Sequence, residues 1–333
     1  MSRKEIISLV ILIAVISYGA YNYLTREYSD IRSRYILDTI VEISAHSKSK
    51  TVSSDIEKVF AFIMDLQKKL DEYDPSSLIS RINLSDEEDF PMDPDIFELL
   101  KISEKLYNIT NGAFDPTIKP AWDLWDFGAV DATPPDSLLL QKQLELVDFS
   151  QLRFDADTLY KPKSMQITFG AIAKGYILDQ AVDYMQEIGL KRGFINGRSS
   201  MSFFGYKLSP LVYIQHPRSS DDSIASLRIQ NHSVGTSGDY QQYFEYEGMR
   251  YHHILDAITG QPVRDIFSIT VITDSAAMAD GLSTALFTLD PDETMQIIST
   301  MPDTNAVIYY LHEDSIVSLK SEGMKSLHFN ESL

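Results

Sequence analysis

A turn of small residues, Gly170-Ala171-Ile172-Ala173, runs straight into Lys174-Gly175-Tyr176 and constrains this chain more than any other stretch. Small side chains let the backbone come close to a neighbour, and the segment that follows reads as a helix ending near Gly189. The first N–H groups of such a helix are free and carry partial positive charge, and Lys174 adds a full one. That combination suits a phosphate. The spacing is not that of a Walker A loop, which needs Gly-x-x-x-x-Gly-Lys-Ser/Thr. Small residues that merely pack a helix against a sheet would look the same. The turn therefore specifies a close approach and leaves its purpose to the rest of the chain.

With 333 residues the chain can bury a substantial core in one large domain or two smaller ones. Its formal net charge of -19 argues against nucleic acid, whose backbone needs Lys and Arg to neutralise it. The same charge means that an anionic ligand requires a local positive site or a metal. The absence of cysteine excludes disulfides, thiolate metal sites, a cysteine nucleophile and a lipidated cysteine. Arg3 and Lys4 precede an apolar run from Ile6 to Leu24, long enough to cross a bilayer core of roughly 30 Å. The basic flank favours a cytoplasmic N-terminus, and no clear Ala-x-Ala cleavage site follows. An uncleaved anchor is thus preferred over a signal peptide. Either one sends the remainder of the chain out of the cytoplasm.

Residues 1–34 are read as anchor and polar stalk, and 35–330 as one domain of α+β (mixed α/β) class, with mixed sheets flanked by helices. A strand is expected at 35–45. Ser54-Asp55-Ile56-Glu57 has the form of a capping box opening a helix with Ile56, Val59, Phe60, Ile63 and Leu70 on its buried face. Asp93-Pro94 reads as an N-cap with Pro at the first helical position, and Asn111-Gly112 as that helix's end. Short strands are expected at 193–196, 201–205, 211–215, 225–230, 241–246, 268–273 and 305–311, with helices at 275–288 and 292–300. Regular βαβ alternation is missing, so a Rossmann domain is not expected.

Three further segments carry chemistry. In Ala279-Asp280-Gly281-Leu282-Ser283-Thr284-Ala285, helical spacing puts the oxygens of Asp280, Ser283 and Thr284 on one face. One carboxylate with hydroxyls is a hard donor set suited to Mg²⁺, although hydroxyls that bond back to helix carbonyls would give the same pattern. His252 and His253 are adjacent, so on a strand they point to opposite faces and make a poor chelating pair, while one of them can face a site as a proton carrier. Asn111-Gly112-Ala113-Phe114-Asp115-Pro116-Thr117 with Trp122 and Trp125 can hold a flat ring, or simply pack a core.

The order of these pieces resembles the ApbE family of FAD:protein FMN transferases. The similarity covers roughly residues 35 to 311. It runs through Asp38-Thr39-Ile40-Val41-Glu42-Ile43, Ser77-Leu78-Ile79-Ser80-Arg81-Ile82-Asn83 and Gly112 to Thr117. It continues through Gly170 to Tyr176, Thr236-Ser237-Gly238-Asp239-Tyr240, His253-Ile254-Leu255-Asp256 with Thr259-Gly260, and Ala279 to Ala285. The resemblance implies Mg²⁺-dependent transfer of the FMN half of FAD to a Ser or Thr hydroxyl of a target flavoprotein, with a phosphoester formed and AMP released. It also implies an extracytoplasmic site, which with the apolar N-terminus gives a domain held at the cytoplasmic membrane and facing the periplasm or cell exterior. By motif, the metal ligands would be Asp280, Thr284 and the backbone carbonyl of Ala171, with Ser283 adjacent. FAD contacts would fall at Leu37, Tyr73, Ala113, Phe114, Asp115, Thr168, Lys174 and Ile254. His253 would move the proton, and Asp280 would be the second catalytic position.

The chain departs from the family's pattern in three places. Leu37-Asp38-Thr39 stands for Met-Gly-Thr, Thr168 for an Asp, and Asn196-Gly197-Arg198-Ser199-Ser200 for Asn-x-Gly-Gly-Asp/Asn. Thr168 cannot supply the charge of a carboxylate, and Arg198 is placed to pair with a phosphate or to sit on the surface. Hydrolysis of FAD to FMN and AMP, and flavin binding without turnover, are the alternatives to transfer. Asp280→Ala is expected to abolish metal-dependent activity and leave folding nearly intact.

Overall fold

The computed structural model describes residues 2–208 and 210–332; Met1, Ser209 and Leu333 lie outside the described residues. Helix α1 (Arg3–Thr25) is opened by a reciprocal cap between Ser2 and Glu5 and has no buried residue. It is long and apolar enough to cross a membrane.

The strands that organise the rest are, in chain order, β1 (Tyr28–Ile36), β2 (Thr39–Ser47), β3 (Arg192–Asn196), β4 (Ser200–Phe204), β5 (Leu211–His216), β6 (Ser219–Arg228), β7 (Ser233–Gly238), β8 (Tyr243–Tyr246), β9 (Met249–His252), β10 (Ile266–Thr273), β11 (Asn305–His312) and β12 (Ser315–Lys320). The central sheet has eight strands in the order β1-β2-β3-β4-β7-β10-β11-β12. Every adjacent pair in it is antiparallel. The α+β class therefore stands, with the strands running antiparallel where a mixed sheet was expected.

Alternation along the strands builds two cores. Ala306 and Ile308 of β11 face one side with Ile269 and Val271 of β10, against helices α2 (Val52–Leu70), α3 (Pro94–Ile109), α4 (Ala173–Glu187) and α5 (Ala276–Ala285). Val307 and Tyr309 face the other side with Ile272 and Val234, against Val212, Ile214 and Leu227 of the β5–β6 hairpin. A third cluster gathers round Trp125, stacked on Phe127 and packed against Tyr251. Helix α6 (Pro291–Thr300) adds Ile298 to the first core.

Several local expectations change. Most of the polar stretch read as a stalk is β1, paired residue for residue with β2 from Tyr28↔Ser47 to Ile36↔Thr39. It reads as polar because it is an edge strand whose charges meet solvent and Glu57 of α2. Helix α2 starts a turn before Ser54: Thr51 is its N-cap, and the Thr51 hydroxyl donates to Asp55 at 2.7 Å. Asp93 does cap α3, accepting from the N–H groups of Asp95 and Ile96. Gly112, at φ +87°, closes that helix through its N–H to the Tyr107 carbonyl. Strand β7, Ser-Val-Gly-Thr-Ser-Gly, went unexpected because small polar residues read as loop. It is central all the same, since a Cβ on Gly235 would lie 2.3 Å from the carbonyl carbon of Ala279 in α5.

Gly175 plays the same part between α4 and α5. A Cβ there would stand 2.2 Å from the Ala276 carbonyl oxygen, a backbone atom that cannot swing away. Gly175→Ala is expected to destabilise the fold by about 3 kcal/mol in urea titration. Gly128→Ala, at a position with nothing within 4 Å, should change it by less than about 0.5 kcal/mol.

Candidate active site

A cavity of about 810 Å³ opens where these two helices meet the sheet. Helix α4 supplies its floor. Its N-cap residue is Ile172, which has no side-chain cap to offer. The Asp280 carboxylate takes over, accepting the Gly175 N–H at 3.0 Å on Oδ2 and the Ser200 hydroxyl at 2.7 Å on Oδ1. In a helix continued backwards the Gly175 N–H would bond the Ala171 carbonyl; here it donates to Asp280. Thr284, one turn along α5, also lines the cavity, and its hydroxyl meets Ser237 Oγ at 3.0 Å. Ser283 does not line it. That hydroxyl is fully buried, donates to the Asp280 carbonyl at 2.9 Å and meets Ser237.

The donors that fit a hard cation are thus the Asp280 carboxylate, the Thr284 hydroxyl and the Ala171 carbonyl, with Ser283 behind them. Among the described residues no group of three or more His, Cys, Asp or Glu side chains stands close enough to hold a metal alone. A cation at Asp280 would need its remaining ligands from water and from the bound molecule, which is how Mg²⁺ is usually held.

Lys174 lies at the second position of α4 and hydrogen-bonds Ser199 Oγ. Ser199 and Ser200, noted in the sequence only as departures, therefore hold Lys174 and Asp280 respectively. Arg198 lines the rim with φ +71°, its N–H bound to Asn196 Oδ1.

The other wall is the 113–117 segment. Ala113, Phe114 and Asp115 all line the cavity. The Asp115 carboxylate is already engaged: Oδ1 accepts the Thr117 N–H at 2.7 Å and hydroxyl at 2.6 Å, and Oδ2 accepts the Phe149 N–H at 3.0 Å. Burial nevertheless pushes its carboxyl above the usual range. Leu37, at the β1–β2 turn, faces in with φ +53°. Tyr73, Thr168 and Ile254 complete the set of expected contacts. Of the catalytic, flavin-contact and metal positions implied by the resemblance, only Ser283 falls outside the lining; His252 and Trp125 also lie outside it.

The two histidines diverge, His252 as the last residue of β9 and His253 in the bend that follows it. His252 is buried; Nδ1 accepts the Ile254 N–H at 3.2 Å, so Nε2 carries the proton to the Val263 carbonyl at 2.6 Å. His253 lines the cavity, and its Nδ1 faces the Gln242 carbonyl at 3.1 Å. A carbonyl only accepts, so Nδ1 holds the proton and Nε2 keeps its lone pair. Burial depresses the His253 pKa to about 4, which leaves the ring neutral at physiological pH. Trp122 anchors this segment by donating its indole N–H to the His253 carbonyl at 2.9 Å, and Trp125 does the same to Gly260. The tryptophans are thus partly core and partly site.

Residues 37–308 match the ApbE family. This chain belongs to the ApbE family. Among its relatives, a Vibrio cholerae protein named FAD:protein FMN transferase is 28% identical over 259 residues, 75% of this chain and 76% of the relative. A Treponema pallidum protein of the same name is 26% identical over 309 residues, 86% of this chain and 85% of the relative. The crystal structure of an ApbE protein from Thermotoga maritima superposes with a TM-score of 0.82 at 27% identity, over 90% of this chain and 99% of that one. The apo form of the Pseudomonas stutzeri flavinyl transferase ApbE gives 0.80 at 26%, over 91% and 98%.

The geometry corrects one expectation. Asp280 is 6% exposed and holds both the start of α4 and Ser200, so Asp280→Ala would not leave folding intact. Asp280→Asn keeps the shape and is the better probe of charge. His253 gives a pH prediction. Its folded pKa lies below the unfolded value, so its contribution is present above about pH 6.5 and is lost as pH falls toward about 4. Between those limits the stability of the wild type should fall more steeply with acid than that of His253→Gln, by up to about one proton per molecule in the unfolding linkage. Parallel slopes would remove the neutral assignment.

Proposed function

We propose that this chain is an FAD:protein FMN transferase that moves the FMN half of FAD onto a Ser or Thr hydroxyl of a flavoprotein outside the cytoplasm, with α1 as its membrane anchor. The observation that carries the reading is a convergence in one cavity: Lys174 on a helix N-terminus, Asp280 with Thr284, and His253 with its Nε2 lone pair unused. The family's membership and the names of its relatives support the same choice of substrate.

In the proposed reaction the acceptor hydroxyl oxygen bonds to the phosphorus of the FMN phosphate, and the bond from that phosphorus to the bridging oxygen of AMP breaks. His253 Nε2 takes the hydroxyl proton as the new bond forms. Lys174 and the N–H groups at the start of α4 face the pyrophosphate and stabilise the charge that gathers on its oxygens. Phe114, Tyr73 and Leu37 supply surface for the flavin ring. Mg²⁺ would be held by Asp280, Thr284 and the Ala171 carbonyl, and when bound it neutralises phosphate charge. Ser283 supports Asp280 from behind.

The full chain in detergent, incubated with FAD, Mg²⁺ and a Thr-bearing acceptor domain, should give a fluorescent adduct stable to denaturation, with AMP released in equal amount. EDTA should stop the reaction and added Mg²⁺ restore it. His253→Ala should slow transfer by on the order of 10²–10⁴-fold while FAD affinity stays within about threefold. Asp280→Asn should lose Mg²⁺-dependent transfer. FMN and AMP formed equally well without acceptor would show hydrolysis instead. FAD binding with no turnover at any Mg²⁺ concentration would show a binding protein.

A further inference from the structure

Glu72 was not singled out by the sequence, and nothing in the proposed reaction uses it. It follows Asp71, the C-cap of α2, and lines the cavity beside Thr168 and Lys119. Its side chain is 13% exposed. Oε2 is buried with no hydrogen-bond partner, and the nearby ammonium of Lys119 stands 3.9 Å away. That ammonium also pairs with Asp123 at 3.0 Å, so it gives Oε2 an ion pair but no hydrogen bond. A carboxylate oxygen buried beside a cavity and left unmatched is costly, and such groups are normally satisfied by something that binds.

Thr168 explains how the carboxylate is oriented. Its Oγ accepts the Gly170 N–H at 3.1 Å, so its own proton is free for Glu72. Thr168 and the Tyr73 hydroxyl both lie beside the carboxylate, and Oε2 still lacks a hydrogen-bond donor. Position 168 is also where this chain has a hydroxyl in place of the family's carboxylate.

We infer that Glu72 binds a hydrogen-bond donor of the substrate, an N–H or O–H group, and supplies from the end of α2 the carboxylate that Thr168 lacks. The inference rests on FAD being the substrate. Glu72 is then a binding residue of this cavity, and the charge of the site has moved from one backbone segment to its neighbour. Burial raises the Glu72 carboxyl pKa, and the hydrogen bond from Thr168 and the charge of Lys119 oppose that rise.

The test is FAD affinity by calorimetry on the full chain, for the wild type, Glu72→Gln, Thr168→Asp and the double variant Glu72→Thr/Thr168→Asp. Melting temperatures are measured alongside, without FAD. Glu72→Gln should bind FAD about tenfold more weakly, the loss of one charge-assisted hydrogen bond. Thr168→Asp should also weaken binding, because it sets two carboxylates against each other. The double variant should return to within about threefold of the wild type. A merely structural Glu72 would not be rescued in this way. The inference is overturned if Thr168→Asp alone binds FAD as tightly as the wild type or tighter, or if the double variant is no better than the single ones. The double variant decides the matter if either single variant does not fold. A wild type that binds no FAD would remove the functional reading itself, a different result from binding that ignores position 72.

Discussion

Helices α4 and α5 each begin on a carboxylate that belongs to the other. Asp280 of α5 accepts the Gly175 N–H at the start of α4. Asp179 of α4 accepts the N–H groups of Ala276 and Ala277 at 2.7 and 3.0 Å, and the hydroxyl of Ser275 at 2.7 Å, at the start of α5. A helix N-terminus has N–H groups that its own turns cannot satisfy, and a carboxylate is the strongest partner for them. The exchange requires the two backbones to come closer than side chains permit. Gly175 removes the obstacle between the helices, and Gly235 removes the one between α5 and the sheet. Close packing is therefore the purpose the structure shows for the chain's most constraining sequence feature. The small residues pack a helix tightly, and that packing delivers Asp280 to the turn.

Much of this was legible as one-dimensional pattern. Periodic apolar positions in α2 and α3, the Asp93-Pro94 start and the Asn111-Gly112 end depend on local physics, and local physics is written in adjacent residues. The candidate site was legible because its motifs keep their order, and the fold brings nearly all of them to one cavity. Three things were hidden. Strand β1 is an edge strand, so its sequence reads as a polar linker. Strand β7 is made of residues chosen for smallness, so its sequence reads as a loop. Glu72 lines the cavity beside Thr168, 96 positions away in sequence, and no spacing rule joins them.

The departures from the family's pattern look different once backbone angles are known. Asp38 stands where the pattern has glycine and adopts φ +53°; Arg198 does so at φ +71°. Both are left-handed conformations that glycine adopts freely and other residues adopt at a cost of about 1 kcal/mol. The chain has thus changed the side chains and kept the turns. Ser199 and Ser200 follow suit, since they bond Lys174 and Asp280 from the same β3–β4 turn. At Asp38 and Arg198 the backbone thus keeps a conformation that glycine would adopt, although the side chains differ.

Charge is the remaining constraint. The chain carries a formal charge of -19, and a pyrophosphate approaching α4 would be drawn by Lys174 and by the positive end of the helix. That end, however, is already occupied in part by the Asp280 carboxylate. A carboxylate and a phosphate cannot share one helix N-terminus without repelling each other, and burial makes the repulsion stronger. In the proposed reaction a divalent cation held by Asp280 would offset that repulsion. On that proposal the same Asp280 that completes the helix pair would also hold the cation. Stability and the proposed chemistry would then place opposite demands on that one side chain: the fold holds its carboxylate at the N–H of Gly175, and the proposed chemistry would need its remaining lone pairs to stay available.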